Sequence, residues 1–149
     1  MDITLRQAIS ADVPEIVAML ADDILGARRE NPAELDPYLA AFERIDADPN
    51  QLLLVGERAG RVVGTLQLSI LHGLSRRGSS RALIEAVRVA APERGAGLGG
   101  ELIRQAVEEA RRRGCVLVQL TSDAARTDAH RFYERLGFRA THVGFKLAL

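Results

Sequence analysis

Apolar and polar residues alternate at the start of the chain, where Ile3, Leu5 and Gln7 mark a first strand and Ser10 or Asp12 stands ready to cap a helix. Val13, Ile16, Val17, Leu20 and Ile24 then recur at helical spacing, and Gly26 reads as the stop of that helix. Pro32, Pro37 and Pro49 punctuate a polar stretch around a second helix near Asp36 to Ile45. The period then shortens to two. QLLLVGER (Gln51 to Arg58) and VVGTLQLSI (Val62 to Ile70) read as antiparallel strands joined through Ala59-Gly60-Arg61. A loop from His72 to Ser80 leads into a fourth strand, Arg81 to Val89, which Ala90-Ala91-Pro92 ends.

Four glycines follow within ERGAGLGGELI, Glu93 to Ile103. Leu102, Ile103, Ala106, Val107 and Ala110 place an apolar stripe on a helix that closes with Arg111, Arg112, Arg113 and Gly114, the charge and the residue a helix end favours. CVLVQLTS, Cys115 to Ser122, is a continuous apolar run of the kind found where both strand faces are covered. A short helix from about Asp128 to Leu136 ends at Gly137, and FRATHVGFKLAL reads as a return to strand. Strand, helix and strand across residues 81–122 form one crossover, so those two strands run parallel while the earlier hairpins are antiparallel. The expected fold is a single α/β domain over residues 1–149, with a mixed, mostly antiparallel central sheet flanked by helices.

Charge and composition narrow the function. Twenty basic and twenty acidic residues cancel, so the chain lacks the field that draws a protein to nucleic acid. No apolar run is long enough to cross a bilayer, and the N-terminus lacks the basic start and apolar block of a signal peptide. The single cysteine, Cys115, rules out an intrachain disulfide and a cysteine-based zinc site and reads as a small core residue. A cytoplasmic location is expected. His72, His130 and His142 are scattered without ligand spacing, so no metal is expected.

The glycines fit two phosphate-binding patterns. Gly95-x-Gly97-x-x-Gly100 matches the dinucleotide fingerprint, with Asp123 lying 23 residues past Gly100. That fingerprint normally opens its domain, whereas here a hairpin sheet precedes it and 49 residues follow. Registered instead as Arg94-x-x-Gly97-x-Gly99, the same residues let successive backbone N–H groups curl around a phosphate, with the helix start adding its dipole.

The second register, together with AHRFYERLGF (Ala129 to Phe138) one strand later, resembles the GCN5-related N-acetyltransferase (GNAT) family over nearly the whole chain. The resemblance implies transfer of an acetyl group from acetyl-CoA to a primary amine. It implies that the fourth and fifth strands splay, that the backbone of Val87, Arg88 and Val89 holds pantetheine, and that Arg94, Gly95, Ala96, Gly97, Leu98, Gly99 and Gly100 hold the pyrophosphate. Tyr133 would protonate or hydrogen-bond the departing thiolate, with Phe132 as its core neighbour. Alternation puts Glu85 on one strand face with Val87 and Val89, where it is either a general base or the partner of a nearby arginine; water alone is the remaining choice of base.

The sequence departs from the family where Arg126 replaces an asparagine that contacts CoA; the arginine either meets cofactor phosphates or faces solvent. Only twelve residues follow Gly137, so the last sheet edge is either shortened or completed by a second subunit, which would make the protein a homodimer. The acceptor, a small-molecule or peptide amine, would be shaped by residues 24–48 and 72–80, with Asp22, Asp23 and Glu30 available to attract a cation. A non-catalytic acyl-CoA-binding module of the same fold is the reading from another class.

Overall fold

A computed structural model describes residues 2–149, which gather into two compact units, one ending at Gln119 and the other Leu120–Leu149. The first unit begins with β1 (Thr4–Gln7), a 3-10 turn (Ser10–Asp12), α1 (Val13–Ala21), α2 (Ile24–Arg29) and α3 (Asp36–Asp46). It continues through the hairpin of β2 (Gln51–Arg58) and β3 (Arg61–Leu71), the one-turn α4 (Ser75–Gly78), β4 (Arg81–Val89), a second 3-10 turn (Ala91–Glu93) and α5 (Leu98–Arg112). The sheet runs in the order β1-β2-β3-β4-β5, with β5 (Val118–Leu120) parallel to β4 and the other neighbours antiparallel. The mixed α/β sheet and its crossover helix match the fold expected from the sequence.

Each sheet face buries a different set of helices. Val55, which pairs with Thr65, packs with Val13, Ile16, Val17 and Phe42 from α1 and α3. The next residues along each strand face the other way, and there Gly56 pairs with Gly64. A Cβ on Gly56 or Gly64 would stand 2.6 or 2.5 Å from a methyl of Leu102, so the paired glycines form a dimple that seats α5 close against the sheet. Leu98, Leu102, Ile103, Ala106 and Ala110 are all buried there, each leucine contributing about 2 kcal/mol of transfer free energy. This packing fixes the N-terminal end of α5, where the glycine run lies.

Three sequence expectations are corrected. The apolar stripe from Val13 to Ile24 is two helices: α1 ends at Ala21, and Asp23 caps α2 by accepting from the Gly26 N–H. Gly26 therefore lies inside α2 rather than after a helix. A Cβ there would stand 1.8 Å from the Leu20 carbonyl oxygen, so the residue is selected by close approach of two helical turns. β5 is only three residues long, and Val116 is 61% exposed, so the apolar run is an edge strand with partial cover. After α6 (Thr127–Arg135) of the second unit, residues 138–149 form no strand: Val143, Phe145 and Leu147 keep their alternation but are 78%, 93% and 87% exposed, with no ladder to join.

Candidate active site

β4 changes character halfway. Gln67 pairs with Glu85 and Thr65 with Arg88, so Leu66 opposes both Ala86 and Val87 in a β-bulge, with Ala86 at φ +55°. The bulge overturns the expected alternation: Glu85 shares a face with Arg88, whereas Val89, paired with Gly64, lies on the opposite face. Beyond it, the Ala90 N–H donates to the Val63 carbonyl, which turns the backbone groups of Arg88 toward β3 and those of Val87 and Val89 away from it. Val116 N–H donates to Ser80 and Ala82 N–H to Leu117, so β5 runs beside the first half of β4 only. Among the described residues no strand pairs with the outer edge at Val87 to Val89.

Two arginines occupy the carbonyls of that edge. Arg88 Nη1 donates to the Val87 carbonyl at 2.9 Å, and its Nε lies 3.1 Å from Asp23 Oδ2 as an ion pair that falls short of hydrogen-bond geometry. Arg94 Nε donates to the Val89 carbonyl at 3.1 Å while Nη2 reaches both the carbonyl and Oδ2 of Asp22 at 3.3 Å. Asp22 and Asp23, read from sequence as attractors of a cationic amine, are thus engaged by arginines, and Glu30 accepts from the Tyr38 hydroxyl at 2.9 Å.

The glycine run leaves its backbone donors free. Gly95 and Gly97 take φ of +85° and +80°, and Gly97 is the residue that caps α5. Among the described residues no acceptor takes the backbone N–H groups of Gly95, Ala96, Gly97, Leu98, Gly99 or Gly100, while the Glu101 N–H donates back to Gly97. Six consecutive unspent donors thus stand at the positive end of a 15-residue helix, an arrangement that favours negative charge.

On the α3 side of the sheet an open depression of about 410 Å³ is lined by Arg44, Asp48, Gln51, Gln67, Ser69 and Glu85, among others. Gln51 Oε1 accepts from Gln67 Nε2 at 2.9 Å and from Ser69 Oγ at 2.8 Å. The sequence reading found Glu85 but missed its polar companions; Gln67 and Ser69, two apart in a largely apolar strand, were the signal available. Cys115 is half-buried, and that burial pushes its thiol up, away from thiolate chemistry.

In the second unit, α6 carries Arg126 as its N-cap and Tyr133 near its end. The Tyr133 ring packs edge-on against Phe132 and Phe138, with centroids 5.1 and 5.9 Å apart, so its orientation is set by two aromatic neighbours. Arg126 anchors its turn through the backbone, its N–H donating to Asp123 and its carbonyl accepting from His130.

Comparison with known proteins agrees with the fold. The model of the acetyltransferase (GNAT) family matches residues 17–138. Aminoalkylphosphonate N-acetyltransferase of Salmonella typhimurium is 32% identical over 148 residues, covering 97% of this chain and 90% of that protein. Glucosamine 6-phosphate N-acetyltransferase of Trypanosoma brucei brucei is 41% identical over 90 residues, 60% of this chain and 59% of that one. The crystal structure of a transcriptional regulator from Bacillus halodurans C-125 superposes with a TM-score of 0.93 at 44% identity, covering 99% of each chain. The chain belongs to the GNAT family and is an acyltransferase.

Proposed function

We propose that the protein transfers the acetyl group of acetyl-CoA directly to the primary amine of a small molecule that also carries a phosphonate or phosphate. The observation that carries the donor half is the run of six unpartnered N–H groups from Gly95 to Gly100, beside the open edge of β4. In this reading Arg94 and Gly95 to Gly100 hold the CoA pyrophosphate, Arg126 serves its phosphates, and the backbone of Val87 and Val89 holds pantetheine; the backbone groups of Arg88, which the sequence resemblance also offered, face β3 instead. The acceptor half draws support from two relatives whose names pair an amine with a phosphonate or a phosphate.

The reaction needs no covalent enzyme intermediate. The neutral amine attacks the thioester carbonyl, and an outward N–H of β4 beyond the bulge stabilises the oxyanion. The carbon–sulfur bond then breaks. Glu85 takes the proton lost by the ammonium, directly or through one water, and the Tyr133 hydroxyl supplies a proton to the departing thiolate. The test is CoA release across an amine panel containing 2-aminoethylphosphonate and glucosamine 6-phosphate; the absence of turnover with every amine would contradict it. The regulator at 44% identity favours one second reading, a non-catalytic acyl-CoA-binding module, which would bind acetyl-CoA without releasing CoA.

A further inference from the structure

Two side chains of opposite charge line the depression between α3 and the sheet, and among the described residues neither has a partner. Arg44 on α3 makes no ion pair and no hydrogen bond there, whereas Arg58, Arg88, Arg94 and Arg104 each reach a carboxylate. Glu85, exposed on β4 opposite Gln67, likewise has none among the described residues. Gln51 lines the same depression. Its Oε1 already accepts from Gln67 and Ser69, which fixes the amide with its Nε2 donating to no atom of the described residues. Asp48, the other charged residue of the lining, spends Oδ1 on the Asn50 N–H at 2.8 Å.

An exposed arginine alone would be an ordinary solvated cation. Here an unspent guanidinium and an unspent amide N–H pair share one space with an unspent carboxylate, and that carboxylate stands at the bulge where β4 opens. A ligand that satisfies all three is zwitterionic, with its ammonium toward Glu85 and its oxyanion toward α3.

We infer that this depression is the acceptor subsite, in which Arg44 and Gln51 anchor the phosphonate or phosphate and so set the distance of the amine from Glu85. The inference rests on acetyl transfer to such an amine, as proposed above. Guanidinium matches a tetrahedral oxyanion through paired N–H donors, so Arg44 is the residue that selects anionic acceptors over neutral amines.

The test compares kcat/KM for 2-aminoethylphosphonate and propylamine in the wild type, Arg44→Gln and Arg111→Gln; Arg111 is an exposed arginine at the C-terminal end of α5, outside the depression. The wild type should favour the phosphonate, and Arg44→Gln should lower that preference by roughly ten-fold or more, through KM, as expected for loss of a charged hydrogen bond. Arg111→Gln should keep it. A wild type without preference, or a preference that survives Arg44→Gln, would overturn the anchor while leaving acetyl transfer standing. A second arm is independent of turnover: with the donor site saturated by CoA, methylphosphonate should raise the melting temperature of the wild type and not of Arg44→Gln. Equal shifts in both, or none in the wild type, would also overturn it. If no amine is acetylated, the reading of the reaction fails and the binding arm still decides the subsite.

Discussion

Glu85 and Arg88 stand three residues apart in β4 yet share one face of the sheet, opposite Gln67 and Thr65, because the bulge at Ala86 absorbs a residue of the alternation. The shift separates two tasks along one strand. Before the bulge, Glu85 lines the depression under α3; after it, the backbone of Val87 and Val89 faces the open edge. With Glu85 as proton acceptor, Glu85→Gln should lower kcat by about a hundred-fold and leave acetyl-CoA affinity unchanged. Tyr133→Phe should also lower kcat without weakening acetyl-CoA binding. Steady-state kinetics beside an acetyl-CoA titration check both, and an unchanged kcat would remove that residue from the chemistry.

Arg94 is held by Asp22 and the Val89 carbonyl, and both members of the Arg94–Asp22 pair are about half exposed, at 50% and 55%. An exposed pair of this kind is worth about 0–1 kcal/mol, whereas a charged hydrogen bond to a phosphate is worth about 1.5–3 kcal/mol. Arg94 can therefore exchange one partner for the other. Arg94→Ala should weaken acetyl-CoA binding roughly ten-fold or more, and Asp22→Asn should change it by less than about five-fold. Calorimetric titration of acetyl-CoA measures both; equal losses in the two variants would place Arg94 in structure rather than in donor binding.

Gly26 packs against the last turn of α1 so closely that even a methyl group would collide with the Leu20 carbonyl. Gly26→Ala should cost about 3 kcal/mol and lower the melting temperature by about 6–12 °C. A thermal melt within a degree of wild type would contradict that close packing.

Asp12 is 7% exposed, receives Arg6 through Nη1 at 2.8 Å and Nη2 at 3.1 Å, and accepts from the Ile9 N–H at 2.8 Å. Hydrogen bonding to Arg6 holds its carboxyl below the ordinary 3.8, against the opposing effect of burial. A carboxyl depressed in the folded state stabilises the fold above its unfolded value, and that contribution fades as pH falls through the folded value. Asp12→Asn should thus cost about 2–3 kcal/mol at neutral pH, and the gap to wild type should narrow below about pH 4. Urea denaturation at several pH values checks this, and a gap independent of pH would contradict it.

The hairpin of β2 and β3, the crossover through α5 and the glycine run that opens α5 were legible because each rests on local chemistry: period-two alternation, a glycine turn, and donors left free at a helix start. The split between α1 and α2 was not, since Leu20 and Ile24 keep helical spacing across a break made by the Asp23 cap. Nor was the bulge. Alanine carries no mark of a positive φ, and Ala86 takes one under the demands of its neighbours in the sheet. The alternation in residues 138–149 had the opposite fate, because a strand needs a partner as well as a pattern. Within the site, Glu85 and the glycine loop stood out by motif, whereas Arg44 and Gln51 come to one depression only through the packing of α3 over β2.

The most direct measurement combines the protein, acetyl-CoA and 2-aminoethylphosphonate and follows CoA release together with the mass of the amine product. The expected result is CoA released in step with an amine heavier by one acetyl group, dependent on both substrates and slowed about a hundred-fold in Glu85→Gln. Binding of acetyl-CoA with no acetylated product from 2-aminoethylphosphonate, glucosamine 6-phosphate or any other amine of the panel would contradict the proposed activity.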